Sequence, residues 1–274
     1  LGLPTISYAP SFGLRIQDGV FLTASGEVWV MKGATEFNLP AKLRAGDDIR
    51  PILRQRKAAG CNCVRSLSMG YPFRSDPQPL TMAQAAQYWT ICAEEGLYVL
   101  WCVFAGTATV MPGLGNQQAY WSNTQATAAS YPNVLLQLAN EWNHGTQHID
   151  PSQFARPYGN LVDHGPGLTD EPPVRPLWDF ATYHARRDPN CKGFTNYDCM
   201  EFEADPWPKP CPMAPGEGAK PEDYGFNPAY AFEMGQRAGN NWGGVFHSDQ
   251  GVRSEPWPAS VETCARAFYE GIDG

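Results

Sequence analysis

The chain has 274 residues, 43% hydrophobic and 18% charged, a balance that excludes a disordered chain and supports a full buried core. Its net charge is −8, and its Lys and Arg residues are scattered in short groups such as Arg186-Arg187, so there is no basic stripe for nucleic acid to bind. No apolar run reaches the roughly 18 residues of a membrane helix, so no membrane span is expected.

Residues 14–24 and 27–37 read as a short hairpin leading into a first strand, with Gly26 at the turn and Val28-Trp29-Val30-Met31 after it. Asp47 is placed to cap a helix through Ile49–Lys57. Its Ile49, Ile52 and Leu53 have helical spacing, and Gly60 ends it. Cys63–Leu67 is a second strand. Thr81 caps a helix through Met82–Glu95, closed by Gly96. Leu97–Phe104 is a third strand, apolar almost throughout, as strands buried on both faces are. Residues 105–130 read as a loop. Asn133–Glu141 is a fourth strand that turns polar at its C-terminal end.

Ser152–Tyr158 reads as a short helix, Asn160–Gly165 as a fifth strand, Leu177–His184 as a sixth and Gly193–Glu201 as a seventh. Prolines keep helix out of 165–177. Pro206, Pro208, Pro210, Pro212, Pro215 and Pro221 make 203–227 a long irregular loop, and loops beyond about 12–15 residues are usually functional or mobile. Asn227-Pro228 opens a helix through Ala238, Trp242–Asp249 is an eighth strand, and Ser260–Ile272 is a closing helix. This alternation predicts an α/β fold, a (β/α)8 TIM barrel with long irregular loops at the C-terminal face of its strands. Residues 1–274 form one domain with 1–26 as lead-in, since such barrels take about 250 residues.

The eight cysteines are even in number and widely spaced, which fits disulfides in an oxidising compartment, with the Cys191–Cys211 region as the expected place. Cys63 and Cys102 fall in strand-like runs where free buried thiols are common. Cys61-x-Cys63 lacks zinc-knuckle spacing. His144-x-x-x-His148 has the spacing of one helix face, but Gly145 and Asp150-Pro151 argue against a helix. No metal and no cofactor are expected. The chain starts at Leu1 and reads as a mature form, with a secreted or phage-associated location expected.

In a (β/α)8 barrel the active site lies at the C-terminal ends of the strands. The polar residues that close the strands are Glu36, Arg65, Asn140, Glu141, His184, Asp198, Glu201, His247 and Asp249. The chain also carries nine Trp and twelve Tyr. Trp121, Trp142, Trp207, Trp242 and Trp257 fall in loops or at strand ends, where flat rings stack on sugars.

Leu-Ala-Asn140-Glu141-Trp142 resembles the clan of retaining (β/α)8 glycoside hydrolases, whose acid/base is the Glu of an Asn-Glu pair ending strand four. The resemblance extends to Asn62-Cys-Val-Arg65, Trp178–His184 and Gly243-Gly-Val-Phe-His247-Ser248, and covers residues 20 to 270. It implies that Glu141 is the acid/base and that Arg65 supports the nucleophile. The clan's nucleophile is a Glu ending strand seven. Here Glu201, Asp198 and Glu203 all stand near that end. Glu233 in Phe232-Glu-Met-Gly235 is a further candidate if the strand count is off. Asn140, Trp142, His184, His247 and Trp242 are the expected substrate-binding residues.

Such an enzyme needs one carboxylic acid to protonate the leaving oxygen and a second carboxylate roughly 5–5.5 Å away to attack the sugar. The expected function is therefore cleavage of a β-linked oligo- or polysaccharide. A carbohydrate-binding barrel without turnover and a metal-dependent barrel hydrolase are the alternatives.

Overall fold

The computed structural model describes residues 12–69, 78–147, 149–156, 159–165, 178–185, 213–215, 220–239 and 243–274, with 183–185 and 213–215 described by backbone alone. An antiparallel hairpin, β1 (Arg15–Gln17) and β2 (Val20–Leu22), comes first. There follow β3 (Met31–Thr35), α1 (Leu39–Ala45), α2 (Arg50–Ala58), β4 (Cys63–Leu67), α3 (Met82–Glu94), β5 (Tyr98–Phe104), α4 (Thr107–Val110), α5 (Leu114–Ala128) and β6 (Val134–Ala139). The remaining elements are β7 (Val162–Asp163), β8 (Tyr183–Ala185), β9 (Met213–Pro215), α6 (Pro228–Gly239), β10 (Gly243–Phe246), α7 (Asp249–Arg253) and α8 (Ala259–Asp273).

The strands β3 to β10 form one parallel sheet in the order β7-β6-β5-β4-β3-β10-β9-β8. This is the cyclic order of eight successive strands, opened between the fifth and the sixth. Among the described residues no ladder joins β7 to β8. Instead the segment before β8 bonds to β7: Asp179 N donates to Val162 O (3.0 Å) and Thr182 N to Asp163 Oδ2 (3.2 Å).

The sheet is curled. Met31, Cys63, Leu100, Leu135 and Val245, from β3, β4, β5, β6 and β10, belong to one apolar cluster. In a flat sheet β6 and β10 would stand four strand spacings apart, about 19 Å. The hairpin closes the floor of this cluster through Phe21, whose ring lies 5.6 Å from both Trp29 and Phe180. The opposite faces of the same strands carry Val64, Val99, Trp101, Leu136 and Leu138 into a larger cluster beneath the helices, as the period-two alternation of strands requires.

Local chemistry explains the elements that match the sequence reading. Thr81 caps α3 with a full capping box, its hydroxyl accepting from Gln84 N while the Gln84 side chain accepts from Thr81 N. β4 has the expected bounds. Several elements differ. Asp47 does not cap α2: Ile49 holds the N-cap position, and Asp48 Oδ1 accepts from Arg50 N instead. Residues 105–130 are not a loop but hold α4 and the 15-residue α5. The buried positions of α5 are Gln117, Trp121, Thr124 and Ala128, at helical spacing but half of them polar, so apolar periodicity hides the helix. The expected helix at 152–158 is a 3₁₀ turn at Pro151–Gln153. The seventh strand of the cyclic order is β9, inside the stretch expected as a Pro-rich loop over 203–227. The expected seventh strand, Gly193–Glu201, lies outside the described residues.

Candidate active site

At the level above the apolar floor, the interior of the sheet turns polar. Cys102, Gln137 and Asp163 stand in register on β5, β6 and β7. Arg65 reaches toward them from β4 and is 2% exposed. Its Nε and Nη2 donate to Gln137 Oε1 at 3.0 and 2.6 Å, and Nη2 also donates to Asn140 Oδ1 at 2.8 Å. Gln137 Nε2 donates to Thr182 Oγ1 (2.7 Å) and, at longer range, to Asp163 Oδ2 (3.3 Å). Thr182 Oγ1 donates to Asp163 Oδ2 (2.5 Å). β4, β6, β7 and the segment before β8 are thereby tied into one buried network.

Electrostatics sharpen the picture. Burial lowers the pKa of Arg65, and Cys102, Glu141 and Asp163 oppose that shift. Among the described residues Arg65 makes no ion pair: its direct partners are neutral amide oxygens. Asp163 is pushed up to about 6 by burial, against hydrogen bonds from Thr182, the Gly165 amide and Gln137.

Glu141 follows directly on this network. It is 8% exposed and has φ of 49°, the left-handed region that a long side chain rarely occupies. Such a conformation costs about 1–3 kcal/mol and persists only where the surroundings impose it. Two contacts do so. The Glu141 carbonyl accepts from His144 N (2.8 Å), closing a tight turn. Gln147 then fastens that turn to the end of β5, its Oε1 accepting from Gly106 N at 2.9 Å. On the other side, His164 O accepts from Ala139 N (3.1 Å), and Gly165 lies so close that a Cβ there would sit 1.7 Å from Ala139 O. With φ of 96°, Gly165 is required both for its backbone conformation and for this approach.

His247, just past β10, is also buried, and its Nδ1 shares a 3.0 Å hydrogen bond with Thr35 Oγ1 at the end of β3. The Phe37 ring lies between the two sides of the site, 6.0 Å from the His247 ring and 5.3 Å beneath the Arg65 guanidinium. The structure therefore brings Arg65, Asn140 and Glu141 together and links His247 to them through Phe37.

The other expected residues fall elsewhere. Trp142 is half-buried and packs against the outer apolar cluster. Trp121 and Trp257 are core residues, 2% and 4% exposed: Trp121 Nε1 donates to Ala155 O, and Trp257 lies beneath Arg56. Glu36 is fully buried against Arg56, whose Nε donates to Glu36 Oε1 at 2.5 Å. Glu233 is exposed on α6 and lines an outer cleft of about 530 Å³ with Gln236 and Arg237. His184 falls within β8, and its side chain is not among those described. Asp198, Glu201, Glu203, Trp207 and Trp242 lie outside the described residues. Cys61, Cys63, Cys92, Cys102 and Cys264 are free and buried, so the expected disulfides do not involve them. Among the described residues no three His, Cys, Asp or Glu side chains are grouped to hold a metal, and no helix is long and apolar enough to cross a membrane.

Sequence reasoning missed Gln137, Asp163 and Thr182. Gln137 carried a signal, as the one polar side chain in Val134–Ala139. Asp163, after Leu161-Val162, and Thr182, after Phe180-Ala181, fall in stretches too short for a strand period to single them out.

No protein-family profile matches the chain, and no curated protein sequence matches it. Solved structures do. A glycoside hydrolase family 5 structure from Bacteroides vulgatus superposes with a TM-score of 0.64 at 12% identity, over 92% of this chain and 66% of that one. A second structure from the same organism has a TM-score of 0.63 at 13% identity, over 92% of this chain and 58% of that one. This chain thus spans less than two thirds of either. A family 5 mannosidase from Rhizomucor miehei superposes with a TM-score of 0.59 at 13% identity, over 95% of this chain and 98% of that one. At such identities the likeness establishes the fold: this chain has the α/β architecture, with a curled parallel sheet, that family 5 glycoside hydrolases also have.

Proposed function

We propose that this protein is a glycoside hydrolase that cleaves β-linked saccharides with two carboxylates and retention of configuration. In this reading the eight strands close as a (β/α)8 barrel in one domain, and Glu141 is the acid/base. The observation that carries it is Glu141 itself: a buried carboxyl in a strained left-handed conformation at a strand end, beside a buried arginine that has no ion-pair partner among the described residues. Strain of this kind is retained where a side chain must be aimed.

Glu141 protonates the leaving oxygen and, once the sugar is covalently held, deprotonates the incoming water. Arg65 uses Nε and Nη2 on Gln137 and Asn140. Its Nη1 protons remain to hold the attacking carboxylate ionised. That carboxylate belongs at the end of strand seven. Glu201 and Asp198 are the sequence candidates. Because β9 is the seventh strand of the cyclic order, Glu217, the first carboxylate after it in the chain, joins them. His247 and Asn140 hold sugar hydroxyls at the mouth, with Trp142, Trp242 and His184 as further contacts. No cofactor takes part. A secreted or phage-associated location goes with a polysaccharide substrate.

The test is turnover of aryl β-glycosides, with β-mannosides first because one structural neighbour is a mannosidase. Wild-type protein is expected to hydrolyse at least one, and Glu141→Gln to lose about 10²- to 10⁴-fold while staying folded. Glu201→Gly, Asp198→Gly and Glu217→Gly, which vacate the space of the carboxylate, then identify the nucleophile as the variant that loses turnover and regains it with azide, yielding the glycosyl azide of inverted configuration. Hydrolysis undiminished in Glu141→Gln overturns the assignment. Saccharide binding without any turnover by the wild type leaves a binding barrel in place of an enzyme.

A further inference from the structure

We propose that Asp163 is a positioning residue for this site, acting through Thr182 and Gln137 on the guanidinium of Arg65 and hence on Asn140 beside Glu141. This inference rests on the reading of Glu141 as the reacting carboxyl. It stands on the direction of the hydrogen bonds. Arg65 has only donors, so the end of the Gln137 side chain that faces it must be the oxygen. The amide nitrogen is thereby turned to Thr182 and Asp163. Thr182 Oγ1 accepts from Gln137 and directs its own proton to Asp163 Oδ2. Every hydrogen in the chain Arg65, Gln137, Thr182, Asp163 therefore points toward Asp163.

Such a chain has aligned dipoles, and each bond polarises the next. The negative end is anchored by the buried carboxylate of Asp163, and the positive end is the buried guanidinium of Arg65. Asp163 is 1% exposed, Gln137 and Thr182 are fully buried, and no solvent screens them. Among the described residues, the charged and titratable groups coupled to the chain are Arg65 from β4, Cys102 from β5 and Glu141 from the end of β6; Thr182, on the far side of β7, is neutral. Asp163 thus supplies counter-charge to Arg65 without touching it. Among the described residues, that leaves the remaining donors of Arg65 unclaimed. A carboxylate in direct contact would occupy them.

The same chain closes the opened side of the sheet, since Thr182 precedes β8 and Asp163 ends β7. Protonating Asp163 removes the anchor, and burial brings that event up to about pH 6.

The experiment uses Thr182→Val, Thr182→Ser and Asp163→Asn in the full chain. With the best aryl β-glycoside, Thr182→Val and Asp163→Asn are expected to lower kcat roughly ten- to a hundredfold, with KM little changed and the acid limb of the pH profile displaced. Thr182→Ser, which keeps the hydroxyl, is expected to restore wild-type kcat and profile. Wild-type kcat and pH profile in Thr182→Val overturn the proposal. So does a loss that Thr182→Ser fails to rescue, because the hydroxyl then is not what matters. A second measurement stands apart from activity. Crystal structures of Thr182→Val and Asp163→Asn are expected to show Arg65 drawn away from Asn140 Oδ1, where it now lies at 2.8 Å. An unmoved Arg65 in both overturns the proposal. If no glycoside is cleaved by the wild type, the proposed function fails, and the position of Arg65 still decides this inference.

Discussion

Arg56 and Arg65 are both buried, one on each side of the same sheet, and they are neutralised in opposite ways. Arg56 lies on the outside, in α2. It meets Glu36 directly at 2.5 Å, donates to Glu255 O and Gln55 Oε1, and lies 3.9 Å above the Trp257 ring. Its charge is answered on the spot, and its donors are engaged. Arg65 lies inside and, among the described residues, meets only amide oxygens, with its counter-charges at one remove. The difference teaches that equal burial does not mean equal neutralisation: among the described residues, one arginine has its charge met by direct contact and the other has not.

Removing each arginine breaks the comparison most directly. Arg56→Met leaves the Glu36 carboxyl buried without its direct counter-charge, and is expected to cost about 3–5 kcal/mol in urea unfolding. Gly165→Ala attacks the other region. Its new methyl meets the Ala139 carbonyl, so the strand end that carries Glu141 must move; a loss of about 1–3 kcal/mol is expected, with lower activity. Arg65→Met is expected to cost less than Arg56→Met, under about 2 kcal/mol, because it strands two amide oxygens but removes an expensive buried charge. Its activity should nonetheless collapse, and an active Arg65→Met would erase the contrast.

A further effect is one of pH. Burial raises Glu36 from 4.5 to about 7, more than Arg56 lowers it. The folded protein therefore holds that proton more tightly than the unfolded chain does. Stability contributed this way is complete below about pH 4.5 and is lost as pH rises toward 7. Asp163 behaves alike between 3.8 and about 6. Melting temperatures from pH 4 to 8 are expected to show this decline, and Glu36→Gln and Asp163→Asn each to flatten their part of it.

Much of the first half of the fold was legible. β4, α3, β5 and β6 announce themselves through apolar runs, a capping box and flanking glycines, because each is long and its signals are local. Arg65, Asn140 and Glu141 stand out as candidates for the same reason, at the ends of those strands. The second half was not: β7, β8 and β9 have two or three residues each, too few for a period to show. β9 runs Met-Ala-Pro, and nothing in those residues distinguishes a strand from the proline-rich stretch around them. α5 escaped because its inward face is as polar as its outward one.

The sequence by itself determined which faces of the long strands are apolar and where those strands stop, since alternation and capping are properties of neighbours in the chain. Only the tertiary structure decided that Gln137, Thr182 and Asp163 belong with Arg65, and that Arg56 belongs with Glu36. Gln137 and Thr182 are 45 residues apart in sequence, and Arg65 and Gln137 are 72 apart. A hydrogen bond between such residues is set by strand order and register. The same side chains, in the same sequence, would be unremarkable polar residues until curling the sheet put them in one dry layer.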